Sequence, residues 1–219
     1  MDIKKFYKEQ YKSDYVGRMP KWLEKEAIKE SEIFKYFLSY LITFHPNYNL
    51  GIILDIGAGQ LRIIDELYPF LSEKYIAQDI VMPSFFPAKN KYVMDIKRNI
   101  IEKSYIVGNI TDDIETLHKV YNVYQEYPYL IISWGVDEHL SKYEFDLMFE
   151  KFKQMNTPYI IWQTIRLDTI KGLRLAWGER KITKSYRSIA FCKHYFKKNN
   201  FKLIEMKQTK VSNIYFIEG

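Results

Sequence analysis

The sequence has little of what several protein classes require. Its one cysteine, Cys192, excludes a disulfide within the chain and favours a reducing, intracellular setting, so we expect a cytoplasmic protein. No apolar run approaches the ~20 residues of a membrane-spanning helix. The N-terminal stretch has no apolar core like that of a signal peptide. We therefore expect no membrane partner.

Motifs for several kinds of catalysis are also missing. The four histidines are dispersed and no H-E-x-x-H motif occurs, so we predict no metal site. The absence of a G-x-S-x-G motif and of a Cys-His signature argues against nucleophilic catalysis. The 219 residues suffice for one domain, and the hydrophobic share of 47% is normal for a globular protein.

Positive charge is concentrated in one window of the sequence. Residues 166–198 contain ten Lys and Arg and two acidic residues, a net charge of +8 in a chain whose total is +6. Such a block is either a solvated face or an anion-binding surface. Arginine binds phosphate or carboxylate through two parallel hydrogen bonds. We therefore predict that an anionic ligand meets Arg166, Arg174, Arg180 and Arg187.

The segment 51–79 organises the chain. The apolar run 52–56 predicts a strand buried on both faces, and Gly57-Ala58-Gly59 predicts a sharp turn that a ligand can approach closely. Apolar residues at helical spacing follow, and then a second strand that ends at Asp79. A carboxylate at this distance from the turn suits the ribose hydroxyls of a nucleotide-like ligand.

The residues around the turn indicate which cofactor to expect. Arg62 stands where the third glycine of the NAD fingerprint should let helix and strand pack closely, which argues against a dinucleotide. The pattern Asp55-x-Gly57-x-Gly59 instead resembles motif I of the class I S-adenosylmethionine (SAM) methyltransferases. A branched side chain at Gly57 is expected to abolish cofactor binding and to leave the fold intact.

A second motif and the order of elements extend this resemblance to about residues 50–218. Glu138-His139-Leu140, after the predicted strand 129–134, resembles the motif that faces the methyl group in small-molecule members of the family. The resemblance implies an α/β fold: a Rossmann-like, doubly wound, mostly parallel seven-stranded sheet with an antiparallel terminal hairpin and an N-terminal helical cap. Residues 1–219 would form one methyltransferase domain, with the cap at 1–49 and the core at 50–219.

Apolar runs predict the remaining strands at 105–110, 159–164, 201–208 and 211–218. Pro83 and Pro87 predict that the helix usual after the second strand is weak or absent, and 92–95 could be a short strand. The segment 166–187 is predicted to be a long connection.

The resemblance also implies site residues for SAM and its product S-adenosylhomocysteine (SAH). The predicted cofactor-binding set is Asp55, Gly57, Ala58, Gly59, Asp79, Ile80, Asn109, Ile110, Ser133 and Trp134. Asp79 is expected to accept both ribose hydroxyls. Asn109 replaces an acid of the family pattern, but an amide can still pair with adenine, and Asp95 is the alternative. Tyr11 or Tyr15 could contact the cofactor from the N-terminal region.

Methyl transfer from a sulfonium needs little covalent help, because the leaving group is already activated. A general base is needed only if the acceptor must lose a proton, and Glu138 and His139 are the candidates. We predict a methyltransferase acting on a small anionic molecule. One alternative is a nucleic-acid methyltransferase or binding protein, suggested by aromatic residues in the basic window at Tyr186, Phe191, Tyr195 and Phe196. The other is a SAM-binding protein without catalysis.

Overall fold

The structure is a computed structural model that describes residues 2–12, 20–44, 51–68, 71, 74–109, 111, 114–179 and 184–219. The helices are α1 Ile3–Gln10, α2 Lys21–Phe44, α3 Arg62–Leu67, α4 Lys91–Lys103, α5 Ile114–Tyr124, α6 Lys142–Gln154, α7 Ile170–Glu179 and α8 Ile189–Lys198. The strands are β1 Ile53–Ile56, β2 Tyr75–Asp79, β3 Tyr105–Val107, β4 Leu130–Ser133, β5 Tyr159–Ile165, β6 Lys202–Gln208 and β7 Ser212–Glu218.

The seven strands form one mixed sheet in the order β3-β2-β1-β4-β5-β7-β6. The first five strands of the chain are mutually parallel, and β7 runs antiparallel to both β5 and β6. The predicted α/β fold class with its terminal hairpin is confirmed. The strand order reverses between β1 and β4, which leaves a crevice at their carboxyl ends where ligands of such sheets bind.

Helices cover both faces of the sheet because strand side chains alternate between them. Ile53 and Leu54, neighbours in β1, belong to two different hydrophobic cores. One core is completed by α2, α3 and α4, and the other by α5, α6 and α8. Phe34, Phe37 and Leu38 of α2 are fully buried against the sheet. The second helix of the predicted N-terminal cap thus shares the core of the sheet.

Two sequence predictions about connections are wrong. A thirteen-residue helix, α4, follows β2, and the predicted strand 92–95 lies within it. Both prolines lie in the loop before this helix, and the Asn90 side chain caps it by accepting a hydrogen bond from Val93 N at 2.9 Å. The predicted connection 166–187 likewise contains a helix, α7. In addition, β3 ends at Val107, earlier than predicted.

None of the helices in the described ranges combines the length and the apolarity that crossing a bilayer requires.

A buried lysine on α4 braces the segment that follows β1. The Lys97 side chain is fully buried and forms an ion pair with Asp65 of α3, whose side chain is 10% exposed. Lys97 also donates hydrogen bonds to the carbonyl oxygens of Gln60, at 3.3 Å, and Pro87. One ammonium group therefore joins α4, α3 and the glycine turn.

We expect Lys97→Met to lower the free energy of unfolding by about 3–5 kcal/mol, because it leaves a buried carboxylate without its charge partner. The matched control is Lys91→Met, at an exposed position of the same helix, which should change stability by no more than about 0.5 kcal/mol. Urea unfolding of the three proteins measures both effects. Equal stability of the Lys97 and Lys91 variants would contradict the bracing role.

Candidate active site

The glycine turn after β1 is built by close approach of its backbone to neighbouring segments. Gly57 and Gly59 have φ of 71° and 47°, the left-handed region that favours glycine. Gly57 N and Ala58 N donate to Gln78 O at 2.8 and 3.0 Å. A Cβ at Gly57 would lie inside the van der Waals radius of Val136 Cγ2. The earlier expectation for Gly57 is thus corrected: a side chain there would meet the protein itself before any ligand.

Two buried acids flank the turn. Asp55 of β1 accepts a hydrogen bond from Tyr75 Oη at 2.5 Å, and burial raises the pKa of its carboxyl to about 8, with the charge of Asp79 adding to the effect. Asp79 accepts from Gly59 N at 2.8 Å and from Val81 N at 3.1 Å. Burial raises the pKa of Asp79 to about 6, although these backbone donors oppose the shift. These two carboxyl groups therefore ionise less readily than usual.

Two cavities meet at this turn. The first has a volume of about 970 Å³ counting its open mouth, and the second about 680 Å³. The first is lined by Asp55, Ala58 and Gly59, and the second by Asp79 and Ile80, while Gly57 lines both. The sequence predicted each of these residues for cofactor binding.

Helix α1 and its C-cap residue, Tyr11, supply two tyrosines to the walls of both cavities. Tyr7 Oη lies 2.7 Å from His139 Nε2. Tyr11 is 8% exposed, and its hydroxyl would lie 2.7 Å from a Cβ at Gly59, so it covers the turn. Tyr11 was one of the two tyrosines predicted to contact the cofactor, and Tyr15 lies outside the described residues. The sequence reasoning missed Tyr7, although its four-residue spacing from Tyr11 indicates one helix face.

The two predicted catalytic residues lie in a single 3₁₀ turn, Asp137–His139, beyond the end of β4. Both are buried, with Glu138 lining the first cavity and His139 the second. Glu138 Oε1 lies 3.7 Å from His139 Nε2. Glu138 Oε2 is buried and has no hydrogen-bond partner within the part of the chain that the structure describes. A buried carboxylate oxygen without a donor is costly to a folded protein.

Arg187 corrects a prediction. Its guanidinium is buried and donates to the backbone oxygens of Asp137, Leu140 and Ser141 at 2.7, 3.0 and 3.0 Å. It also lies 3.2 Å from Asp137 Oδ1. Burial raises the pKa of Asp137 to about 7, and Arg187 opposes that shift. Arg187 therefore holds the loop that carries Glu138, and its guanidinium donates to this loop and lines neither cavity.

Arg166 and Arg174 also line neither cavity. Arg166 pairs with Asp168 at 2.6 Å and donates to Thr209 O at 2.9 Å. Arg174 lies over the Trp22 ring at 5.3 Å, and Arg180 is outside the described residues. None of the three described arginines of the basic window lines either cavity. The basic side chains that do so are Arg62 in the first cavity and Lys184 in the second.

The remaining predicted residues lie in different surroundings: in a cavity wall, in the protein core or on the surface. Asn109 lines the second cavity, and its Oδ1 accepts from Thr111 N at 3.1 Å. Asp95 lies on an exposed face of α4, where it pairs with Arg98 at 3.5 Å, so it is not the alternative to Asn109. Ser133 is fully buried in β4 and lines neither cavity. Ile110 lies outside the described residues.

Trp134 lines the first cavity together with a residue that the sequence reasoning missed. Trp134 Nε1 donates to Glu30 Oε2 at 2.7 Å, and Ser212 Oγ also donates to Glu30. Burial raises the pKa of Glu30, although these two donors oppose the shift. Arg62 lies over the Trp134 ring at 4.8 Å. The sequence signal was available, because Glu30 interrupts the apolar face of α2.

A second missed residue, Gln163 of β5, fixes the loop after β4. Gly135 N donates to Gln163 Oε1 at 2.8 Å, and Gln163 Nε2 donates to Ser212 Oγ at 2.7 Å. Gly135 has a φ of 80°, and a Cβ added there would meet no atom within 4 Å. The backbone of Gly135 therefore borders open space shared by both cavities. Within the described residues, no group of three or more His, Cys, Asp or Glu could hold a metal ion.

The two glycines give a matched pair of substitutions. Gly135→Ala adds only the strain of a left-handed residue, about 1–2 kcal/mol. Gly57→Ala adds the same strain and a collision with Val136, so we expect it to cost a further 1–3 kcal/mol or so. The double variant Gly57→Ala/Val136→Ala should recover part of that second cost. Chemical unfolding tests this, and equal losses for the two single variants would contradict the packing argument.

Comparison with known proteins supports this geometry at the level of the fold. No family model and no curated protein matches the chain. Magnesium protoporphyrin IX methyltransferase from Synechocystis PCC 6803, with bound SAH, is 13% identical with a TM-score of 0.62 over 98% of this chain and 99% of that one. The DhpI-SAM-HEP complex is 11% identical, with a TM-score of 0.61 over 98% and 95%. A SAM-dependent methyltransferase from Archaeoglobus fulgidus is 13% identical, with a TM-score of 0.55 over 92% and 100%. The chain thus has the fold of the class I SAM-dependent methyltransferases.

Proposed function

We propose that this protein is a SAM-dependent methyltransferase that acts on a small molecule. The observation that carries the proposal is the pair of buried acids, Asp55 and Asp79, on either side of a glycine turn at which two cavities meet. The turn lies where the strand order reverses, which is where ligands of open α/β sheets bind.

The chemistry of the walls fits the parts of SAM. Each Asp79 oxygen accepts one backbone N–H, so each has a lone pair left for a ribose hydroxyl. Asn109, in the same cavity, can pair with the adenine edge. Asp55, buried with a raised pKa, suits the positively charged methionine end in the first cavity. When bound, SAM would supply a methyl group on a positively charged sulfur that is ready to leave.

The side chains between the cavities can remove a proton from an acceptor O–H or N–H. In this proposal Tyr7 Oη accepts the acceptor's proton while it passes its own to His139 Nε2, 2.7 Å away. The resulting imidazolium is stabilised by Glu138, whose Oε1 lies 3.7 Å from the same nitrogen. The remaining task of the protein is alignment and exclusion of water, which suffices for an activated methyl group.

That the methyl acceptor is anionic remains a prediction, but the residue expected to bind the anion changes. The three described arginines of the basic window lie away from the cavities, so an acceptor carboxylate or phosphate would instead meet Arg62. The similar enzyme from Synechocystis is named for a porphyrin acceptor, which supports a small molecule.

The nucleic-acid alternative has less support. Of its four aromatic residues, Phe196 is 1% exposed, and Phe191 and Tyr195 pack against the core. Tyr186 Oη donates to Ala176 O at 2.7 Å. These rings are therefore poorly placed to stack on bases. A protein that binds SAM without catalysis is distinguished by an acceptor screen with labelled SAM.

Asp79→Ala tests the cofactor site directly. It should weaken the binding of SAM and of SAH by about 5- to 150-fold, equivalent to ~1–3 kcal/mol, because ribose donors would be left without acceptors. Asp95→Ala is the matched control and should bind both like the wild type, since Asp95 lies on exposed α4. Isothermal titration calorimetry measures the affinities of the wild type and of both variants for SAM and SAH. Unchanged SAM affinity of the Asp79 variant, or a preference of the wild type for NAD, would refute the proposed site.

The raised pKa of Asp55 makes SAM binding depend on pH. Below about pH 8 the Asp55 carboxyl is mainly protonated, and a bound cation favours its ionised form. SAM binding should therefore release protons, and affinity should rise from about pH 6 to about pH 8, by at most ~10-fold per pH unit for one proton. Asp79, with a pKa of about 6, contributes at the lower end of this window.

Calorimetry in buffers of different ionisation enthalpy counts the released protons. In Asp55→Asn the dependence above about pH 7 should be lost, while Asp95→Asn should retain it. Proton uptake on SAM binding, or an unchanged pH profile in Asp55→Asn, would show that Asp55 does not meet the cation.

A further inference from the structure

Helix α7 exposes a stripe of large apolar side chains. Ile170, Leu173 and Trp177 are 87%, 53% and 68% exposed, and their spacing places them along one side of the helix. The opposite side is fixed to the protein: Ala176 is buried, and Gly172 packs so closely on Arg166 O that no Cβ would fit. The stripe is thus the outer face of a docked helix.

Basic side chains surround this stripe. Arg174, exposed on α7, lies over the Trp22 ring of α2, which places the two helices side by side. Lys29 of α2 and Lys171 of α7 both reach Glu26 Oε1, at 3.3 and 2.9 Å. The exposed Lys21 and Lys25 continue the four-residue spacing of Lys29 and so form one row beside α7.

Acidic side chains offset little of this charge. Glu26 is 1% exposed and is neutralised by its two lysines. Asp168, just before α7, is paired with Arg166. Glu24 is the exposed acid of the first turns of α2. Among the side chains that the structure describes, the surface therefore combines an apolar stripe with a net positive border.

We propose that this surface, the α7 patch (Ile170, Leu173, Trp177, Arg174, Lys21 and Lys25), docks the protein on an anionic phospholipid membrane. An interfacial helix places Trp, Leu and Ile at the headgroup and acyl boundary, and Lys and Arg meet anionic headgroups. The proposal is independent of the methyltransferase function. It differs from the sequence expectation of no membrane partner, which concerned spanning helices and a signal peptide.

A membrane fits the patch better than other occupants. A ten-residue helix is about 15 Å long, and three side chains on it offer much less than the ~800 Å² that each partner buries in a standard protein interface. A nucleic acid would be gripped by aromatic side chains, and the stripe has one, Trp177, beside two aliphatic residues that cannot stack on bases. All three apolar side chains of the stripe can insert among lipid acyl chains.

The patch lies close to the first cavity, which suggests what membrane docking would achieve. Leu23 and Ala27 of α2 and Leu175 of α7 line the first cavity, so the patch lies on the two helices that frame part of its wall. Docking would bring this cavity to the lipid surface, where a lipid-soluble ligand could enter without crossing water.

The test is flotation of the purified full chain with vesicles of phosphatidylcholine alone and of phosphatidylcholine mixed with phosphatidylglycerol. We expect binding to the mixed vesicles, and a shift of Trp177 emission to shorter wavelength that is absent in Trp177→Phe. The variant Ile170→Ser/Leu173→Ser/Trp177→Ser should bind at least ~10-fold more weakly. Lys21→Gln/Lys25→Gln/Arg174→Gln should lose the preference for anionic lipid.

The matched control is Phe44→Ser/Tyr143→Ser, which removes two side chains that are 71% and 70% exposed elsewhere. It should float like the wild type, and circular dichroism confirms that all variants fold. The proposal is overturned if the wild type does not float, if it floats equally with neutral vesicles, or if the stripe and control variants behave alike. Stripe-dependent binding to oligonucleotides without flotation would assign the patch to nucleic acid and would overturn it too.

Discussion

The active-site region depends on one tight contact, between the turn after β1 and the loop after β4. Gly57 packs so closely on Val136 that no side chain fits between them, and its left-handed backbone aims two N–H groups at Gln78 O. This contact fixes three segments together: the end of β1, the end of β2 and the loop that carries Glu138. The buried lysine of α4 holds the far end of the same turn. Because these segments are held in fixed positions, they do not close over the cavities between them.

The site buries carboxyl groups, and burial of such groups opposes folding. Asp55, Asp79 and Glu30 all have carboxyl pKa values raised by burial, so each carries less charge in the folded protein than it would in water. A group with a raised pKa contributes less to stability as pH rises through that value. The orphan oxygen of Glu138 adds a further cost. Such costs persist at sites where a ligand can offset them.

The central strands could be predicted because a strand buried on both faces is a continuous apolar run, as in β1, β4 and β5. The glycine turn and the two acids beside it were predictable from spacing. Helix α4 was missed because Pro83 and Pro87 were assigned to the helix, whereas Asn90 starts it after both.

The errors about side chains have a different cause. The four arginines share a charge in the sequence, but their partners are fixed only by the fold: Arg187 is closed in by three backbone oxygens, and Arg166 by Asp168. Charge counts describe the field around a chain, and they do not reveal which cations are already paired. Tyr7 was missed for the same reason, since its partner His139 is 132 residues away.

The tyrosines of α1 have a consequence for the order of events at the site. Tyr7 and Tyr11 belong to the walls of both cavities, so a ligand that moves them in one part of the site changes the walls that a second ligand meets. Cofactor and acceptor would then be thermodynamically coupled, and any factor by which one changes the affinity of the other must be the same in both directions. The N-terminal helix would thereby be the element that couples the binding of one ligand to the binding of the other.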